Sequence, residues 1–257
     1  MVLSTFNMAV IRSFLGAIAF YTAIPLPPSW PLDFGRVARW APLVGLLLGG
    51  CLAVVDAVLQ GWGMPILTRS GIAIALWVML TGGLHLDGVA DAADGLAVTE
   101  PQRRLSVMQD SLTGAFGVMA VALVLLLKLA AVNDLPGDRW LVLMAAAGWG
   151  RWGQVAAIAF YPYLKPTGKG AFHKQVMRLP QDLLWSLPVL LVFPLLLAGG
   201  WQVAIALALN GICIALLVGF WFYRRFGGQT GDTYGAIVEW TEVLFLVSCT
   251  LWLRAIV

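Results

Sequence analysis

Apolar runs of near-spanning length recur along this chain, at about residues 41–60, 66–84, 113–132, 140–163, 183–200, 202–223 and 236–256, with a weaker run at about 8–26. A helix needs roughly 20 apolar residues to cross the ~30 Å hydrocarbon core of a bilayer. Inside that core a helix satisfies its own backbone polar groups, so runs of this length read as membrane helices. The composition agrees: 60% of residues are hydrophobic and only 11% charged, against roughly 45–50% apolar content in soluble domains. The chain is therefore predicted to be all-α, a polytopic integral membrane helical bundle with seven or eight transmembrane helices. No repeat or low-complexity linker divides it, and residues 1–257 read as a single domain. The run at 8–26 ends in Tyr21-Thr22-Ala23-Ile24-Pro25-Leu26-Pro27-Pro28, which lacks the small-residue pattern of a signal cleavage site. It reads as a retained span or an interfacial helix. Twelve tryptophans suit interfacial belts, and Cys51, Cys213 and Cys249 lie inside apolar runs without ligand spacing, as small core residues do.

The net charge of +3 says little, but its distribution says more. One set of alternate loops carries Arg36, Arg39, Arg103, Arg104, Lys165, Lys169, Lys174, Arg178, Arg224 and Arg225, whereas the other set carries only Arg69 and Arg139. By the positive-inside rule the first set faces the cytoplasm. Lys128, at a span end, is expected to snorkel toward the far interface. Membrane lipid is an expected partner and nucleic acid is not.

Charged residues are so few that their clustering is informative. In Gly83-Leu84-His85-Leu86-Asp87-Gly88-Val89-Ala90-Asp91-Ala92-Ala93-Asp94-Gly95, a helical conformation puts Asp87, Asp91 and Asp94 at i, i+4 and i+7, on one face. Three like charges repel unless a cation lies among them, and oxygen-only ligands favour Mg²⁺, with Mn²⁺ as the alternative. Asp110, before the span at 113–132, either caps that helix or serves as a fourth metal ligand or general base. Arg151 lies within an apolar run, in Gly148-Trp149-Gly150-Arg151-Trp152-Gly153, where an ionised group is costly. It either holds a phosphate oxygen or pairs with a carboxylate on another helix. The loop from Lys165 to Lys174, including Lys169, reads as an anion cradle or as a plain topology signal. The glycine-rich loop from Arg224 and Arg225 through Thr230 and Asp232 suits a phosphate or nucleotide group, with Glu239 and Glu242 following on the last span. His85 and His173 read as orienting hydrogen-bond partners rather than metal ligands. Carboxylates and cationic loops on one membrane face supply what metal-assisted phosphoryl transfer requires.

These residues carry a family likeness. Phe20 to Pro27, Pro42-Leu43-Val44-Gly45, Gly82 to Gly95, Asp110-Ser111 with Gly114-Ala115-Phe116-Gly117, Arg151-Trp152, and Gly227 to Asp232 with Gly235-Ala236 and Glu242 resemble the cobalamin synthases, the adenosylcobinamide-GDP ribazoletransferases of bacterial inner membranes. The resemblance implies a Mg²⁺-dependent multi-pass enzyme with its active site facing the cytoplasm. It would join adenosylcobinamide-GDP to α-ribazole or its 5′-phosphate and release GMP, the final assembly step of adenosylcobalamin. In that picture Asp87, Asp91, Asp94 and Asp110 hold metal, with Asp110, Asp94 and His85 as the catalytic candidates. Arg151, Lys165, Lys169, Arg224, Arg225, Thr230, Asp232 and Glu242 would bind substrate. Gln109 and Leu112 depart from the family pattern, which often has lysine and arginine there, and Lys165 stands where arginine is common. The Asp-Gly opening at Asp87 and Gly88 also resembles CDP-alcohol phosphotransferases, which carry out a similar displacement. A transporter is the rival from another class, but it would show two related halves. A homo-oligomer is compatible with all of these readings.

Overall fold

The computed structural model describes residues 2–137, 139–197 and 200–256. Twelve α-helices follow one another among these residues: α1 (Val2–Tyr21), α2 (Ala41–Gly61), α3 (Ile66–Thr81), α4 (Leu84–Ala97), α5 (Arg104–Val107), α6 (Ala115–Asp134), α7 (Trp140–Phe160), α8 (Lys169–Val176), α9 (Gln181–Leu184), α10 (Leu187–Leu197), α11 (Trp201–Phe226) and α12 (Gly231–Ile256). Helix α7 is the centre, packed against α2, α11 and α12. All of its residues except Trp140, Met144 and Phe160 are buried. The outer helices turn large apolar side chains outward, among them Val54, Leu126, Leu209 and Leu217, as lipid-facing surfaces do.

Among the described residues, four helical stretches are individually long and apolar enough to cross a membrane: Val37–Gly61, Ala115–Asp134, Trp201–Phe226 and Gly231–Leu253. A fifth arises if α3 and α4 count together. The expected count was seven or eight, and two of the missing spans have local causes. The run at 66–84 is not one straight span, because α4 leaves α3 at 89°. The run at 183–200 is broken into α9 and α10, with Pro194 inside the latter. Helix α4 holds 14 residues, about 21 Å at 1.5 Å per residue. Being short and acidic, it is not a span by itself.

Charged side chains inside the bundle are paired. Lys128 is 3% exposed; it does not snorkel, because Glu239 lies 2.6 Å away, Glu242 also accepts from it, and its ammonium sits 4.3 Å from the Trp77 ring centroid. The end of α3 remote from α4 holds a second network. Arg139 donates to both oxygens of Asp56 and, at 2.6 Å, to Ser70, while Arg69 lies 3.3 Å from Asp56. The two arginines of the basic-poor loops are thus buried structural groups.

Candidate active site

Two consecutive glycines make the turn that exposes the acidic face. Gly82 and Gly83 have φ of 61° and 70°, a left-handed conformation that carries no Cβ penalty in glycine. The N–H groups of Gly82 and Gly83 donate to Met79 and Val78 carbonyls at 3.2 Å, closing α3 with a Schellman-type end. The acidic helix then packs against the start of α12. At Gly88 this contact is so close that a Cβ would collide with the Asp232 carbonyl.

A second junction brings in the cations. The Leu164 N–H donates to the Gln229 carbonyl and the Gln229 N–H to Pro162, both at 2.8 Å. This short parallel bridge holds the loop after α7 beside the loop before α12, and Lys165 reaches Asp232 at 2.9 Å. Thr230 caps α12: its hydroxyl accepts from the Thr233 N–H at 3.2 Å, and Thr233 returns the bond to the Thr230 N–H at 2.7 Å, a reciprocal capping arrangement.

Between these junctions lies a cavity of about 300 Å³. Asp87, Lys165, Thr167 and Asp232 stand at its exposed mouth, and Tyr21, His85, Gln154 and Tyr234 form its buried floor. Asp91 follows Asp87 one turn along α4. Burial, then the like charges of Asp87 and Asp232, raise its carboxyl from the ordinary 3.8 to about 6; Lys165 opposes the shift and Asp94 adds to it. Burial first, then Arg151 and Lys128, push His85 well below its usual value, so the imidazole is neutral. Neither ring nitrogen has a hydrogen-bond partner.

His85, Asp87, Lys165, His173 and Asp232, all named by sequence, therefore meet at one cavity. Others do not line it. Asp94 accepts from the Gly114 N–H at 2.6 Å and the Gly117 N–H at 2.8 Å, capping α6 where the cap position itself is glycine. Asp110 is exposed and accepts from the Leu112 N–H at 3.1 Å in a local turn. Arg151 and Glu242 are both 0% exposed and pair with each other, the second of the two readings open for Arg151. Thr230 is likewise buried in its cap. Arg224 and Arg225 lie against the rings of Phe220 and Trp221, and the side chain of Lys169 lies outside the described residues. Tyr21, Gln154, Tyr163 and Tyr234, not singled out by sequence, also line the cavity. Gln154 carried a signal as a polar residue three positions after Arg151 in an apolar run, and Tyr21 lay within the Phe20–Pro27 likeness.

No three His, Cys, Asp or Glu side chains among the described residues form a ready-made metal cage. The donors present nonetheless fit Mg²⁺, which keeps several waters and takes one or two carboxylates together with substrate phosphates. Asp87 and Asp91, crowded with Asp232, supply such donors and carry the repulsion that a cation would relieve.

The sequence model of the family described as cobalamin-5-phosphate synthase matches residues 13–250. A relative from Trichormus variabilis named adenosylcobinamide-GDP ribazoletransferase is 53% identical over 94% of this chain and 98% of its own length. Proteins of the same name from Synechocystis and Roseiflexus are 52% and 36% identical, each over 91% of this chain and over 93% and 88% of their own lengths. No solved structure matches. Covered almost end to end, the chain belongs to the cobalamin-5-phosphate synthase family.

Proposed function

We propose that this protein is the transferase that completes cobalamin assembly, joining adenosylcobinamide-GDP to α-ribazole or its 5′-phosphate. A ribose hydroxyl of the acceptor attacks the phosphorus on the cobinamide side of the pyrophosphate. The new P–O bond forms the phosphodiester as the bond to GMP breaks, and the hydroxyl proton passes to a carboxylate. The observation that carries the reading is the meeting of Asp87, Lys165 and Asp232 at the mouth of one polar cavity, in a chain of this family.

Each residue has a task there. Lys165 holds non-bridging phosphate oxygens, and Asp232 keeps its ammonium in place between turnovers. Asp87, exposed at the mouth, and Asp91, whose proton affinity is raised by its neighbours, supply metal oxygens and the proton acceptor. Bound Mg²⁺ would offset charge on the pyrophosphate. Neutral His85 orients a substrate group by hydrogen bonding. The enzyme acts as one domain in the bacterial inner membrane with this cavity toward the cytoplasm, the side of the basic loops.

The test is GMP release from adenosylcobinamide-GDP and α-ribazole by purified, detergent-solubilised protein, with and without Mg²⁺. Release that depends on both the metal and α-ribazole is expected. No GMP in the presence of metal would sink the transferase reading.

A further inference from the structure

The floor of the cavity contains more polar groups than the fold itself satisfies. Tyr21, His85, Gln154 and Tyr234 are 0%, 2%, 6% and 2% exposed, and each contributes at least one buried oxygen or nitrogen with no hydrogen-bond partner. Native proteins rarely leave such atoms orphaned, because each has given up its hydrogen bonds to water without replacement. Four around one cavity mark a place built for a ligand that brings its own donors and acceptors. Three of the four side chains are aromatic. The charged groups of the cavity, Asp87, Lys165 and Asp232, stand apart from them at the mouth.

We propose that the floor is a nucleoside subsite, which seats an uncharged bicyclic base among Tyr21, His85, Gln154 and Tyr234 with its ribose toward Asp87 and Lys165. Size supports this assignment. The cavity of about 300 Å³ lies at the lower end of small-molecule sites, about 300–1,000 Å³, which suits a nucleoside and excludes a corrinoid ring with its side chains. Polarity supports it as well, because the ammonium that lines the cavity stands at its mouth, so a phosphate attached to the ribose lies by Lys165. The inference rests on the transferase reading for its two sources of such a nucleoside, the acceptor α-ribazole and the guanosine of the donor. It also gives the corrinoid a location, outside this cavity.

The double variant Y21F/Y234F removes two of the orphaned hydroxyls and keeps both rings. Equilibrium dialysis of the full-length protein in detergent, without metal or donor, would use α-ribazole and GMP as separate probes and cobinamide phosphate as the control. Wild-type protein is expected to bind one nucleoside probe, and the double variant to bind it about 10-fold or more weakly, the loss of one to two hydrogen bonds. Cobinamide phosphate should change less than twofold, with an unchanged melting temperature certifying the fold. A decrease confined to α-ribazole assigns the subsite to the acceptor, and one confined to GMP assigns it to the donor. Equal affinity of variant and wild type for both probes, no binding of either by wild type, or weakening of cobinamide phosphate alone would overturn the proposal. GMP release tests the other reading: protein that binds a nucleoside yet transfers nothing keeps the subsite and loses the transferase function. If wild type transfers while the variant keeps its KM for both substrates, the opposite holds.

Discussion

Lys165 Nζ stands 2.9 Å from Asp232 Oδ2, an ion pair that ties the loop after α7 to the first turn of α12. Both partners remain partly exposed, at 20% and 24%, so the pair contributes little to stability. Its value lies in placement: it presents an ammonium to the acidic face of α4 at the cavity mouth.

Replacing Lys165 by Met should lower kcat/KM for GMP release by about 10- to 100-fold, the worth of a charge-assisted bond to phosphate. Lys165→Arg should keep most activity, since arginine also serves phosphate. Equal rates for Met and wild type would remove this lysine from the phosphate site.

Asp91 ties the site to pH. Its folded value of about 6 lies above the ordinary 3.8, so as pH falls the folded state takes up a proton before the unfolded state does. Stability of the metal-free protein should therefore rise as pH drops from 7.5 through about 6. Thermal unfolding in detergent would record this rise, and D91N should lose most of it. The same pH slope in both proteins would show that Asp91 is not the group responsible.

The acidic helix was legible because the spacing of Asp87, Asp91 and Asp94 is visible without tertiary information. The right-angle turn before it was not, since Leu84 and Leu86 continue the apolar run past Gly82 and Gly83, and only the left-handed backbone reveals the break. Lys128 shows the same limit. From sequence it had nowhere to go but an interface, whereas two carboxylates on α12 meet it across the bundle. Tyr21 and Tyr234 were hidden for the opposite reason: an aromatic residue in an apolar run looks like core until a cavity opens beside its hydroxyl. Pairing across helices depends on register, which composition and periodicity do not encode.

Glu242 joins Arg151 and Lys128 in the middle of the bundle. Changing it to Leu leaves Arg151 without its carboxylate and Lys128 with Glu239 alone, and breaking a buried pair costs about 3–5 kcal/mol. E242L should show a markedly lower melting temperature and poor recovery from membranes, measured by thermal unfolding monitored through size-exclusion chromatography. A variant as stable as wild type would mean that the network is dispensable to the fold.

Orientation can be read at Thr167, exposed at the cavity mouth. With the native cysteines changed to serine, T167C should react with an impermeant maleimide in inverted membrane vesicles and stay protected in intact spheroplasts. The reverse pattern would place the cavity on the outer side.

Asp94 separates metal binding from architecture. Both its oxygens receive backbone N–H groups at the start of α6, the work of a helix cap, although its place on the α4 face also suits a cation. D94S keeps a hydroxyl acceptor near the cap, whereas D94A keeps none and should cost about 1 kcal/mol of stability. If capping is its main task, D94S should retain the Mg²⁺ midpoint for GMP release within about twofold, while D87N loses about 100-fold in rate. Should D94S instead raise the Mg²⁺ midpoint 10-fold or more at unchanged melting temperature, Asp94 belongs to the metal, and the cap seen here must open when the cation binds.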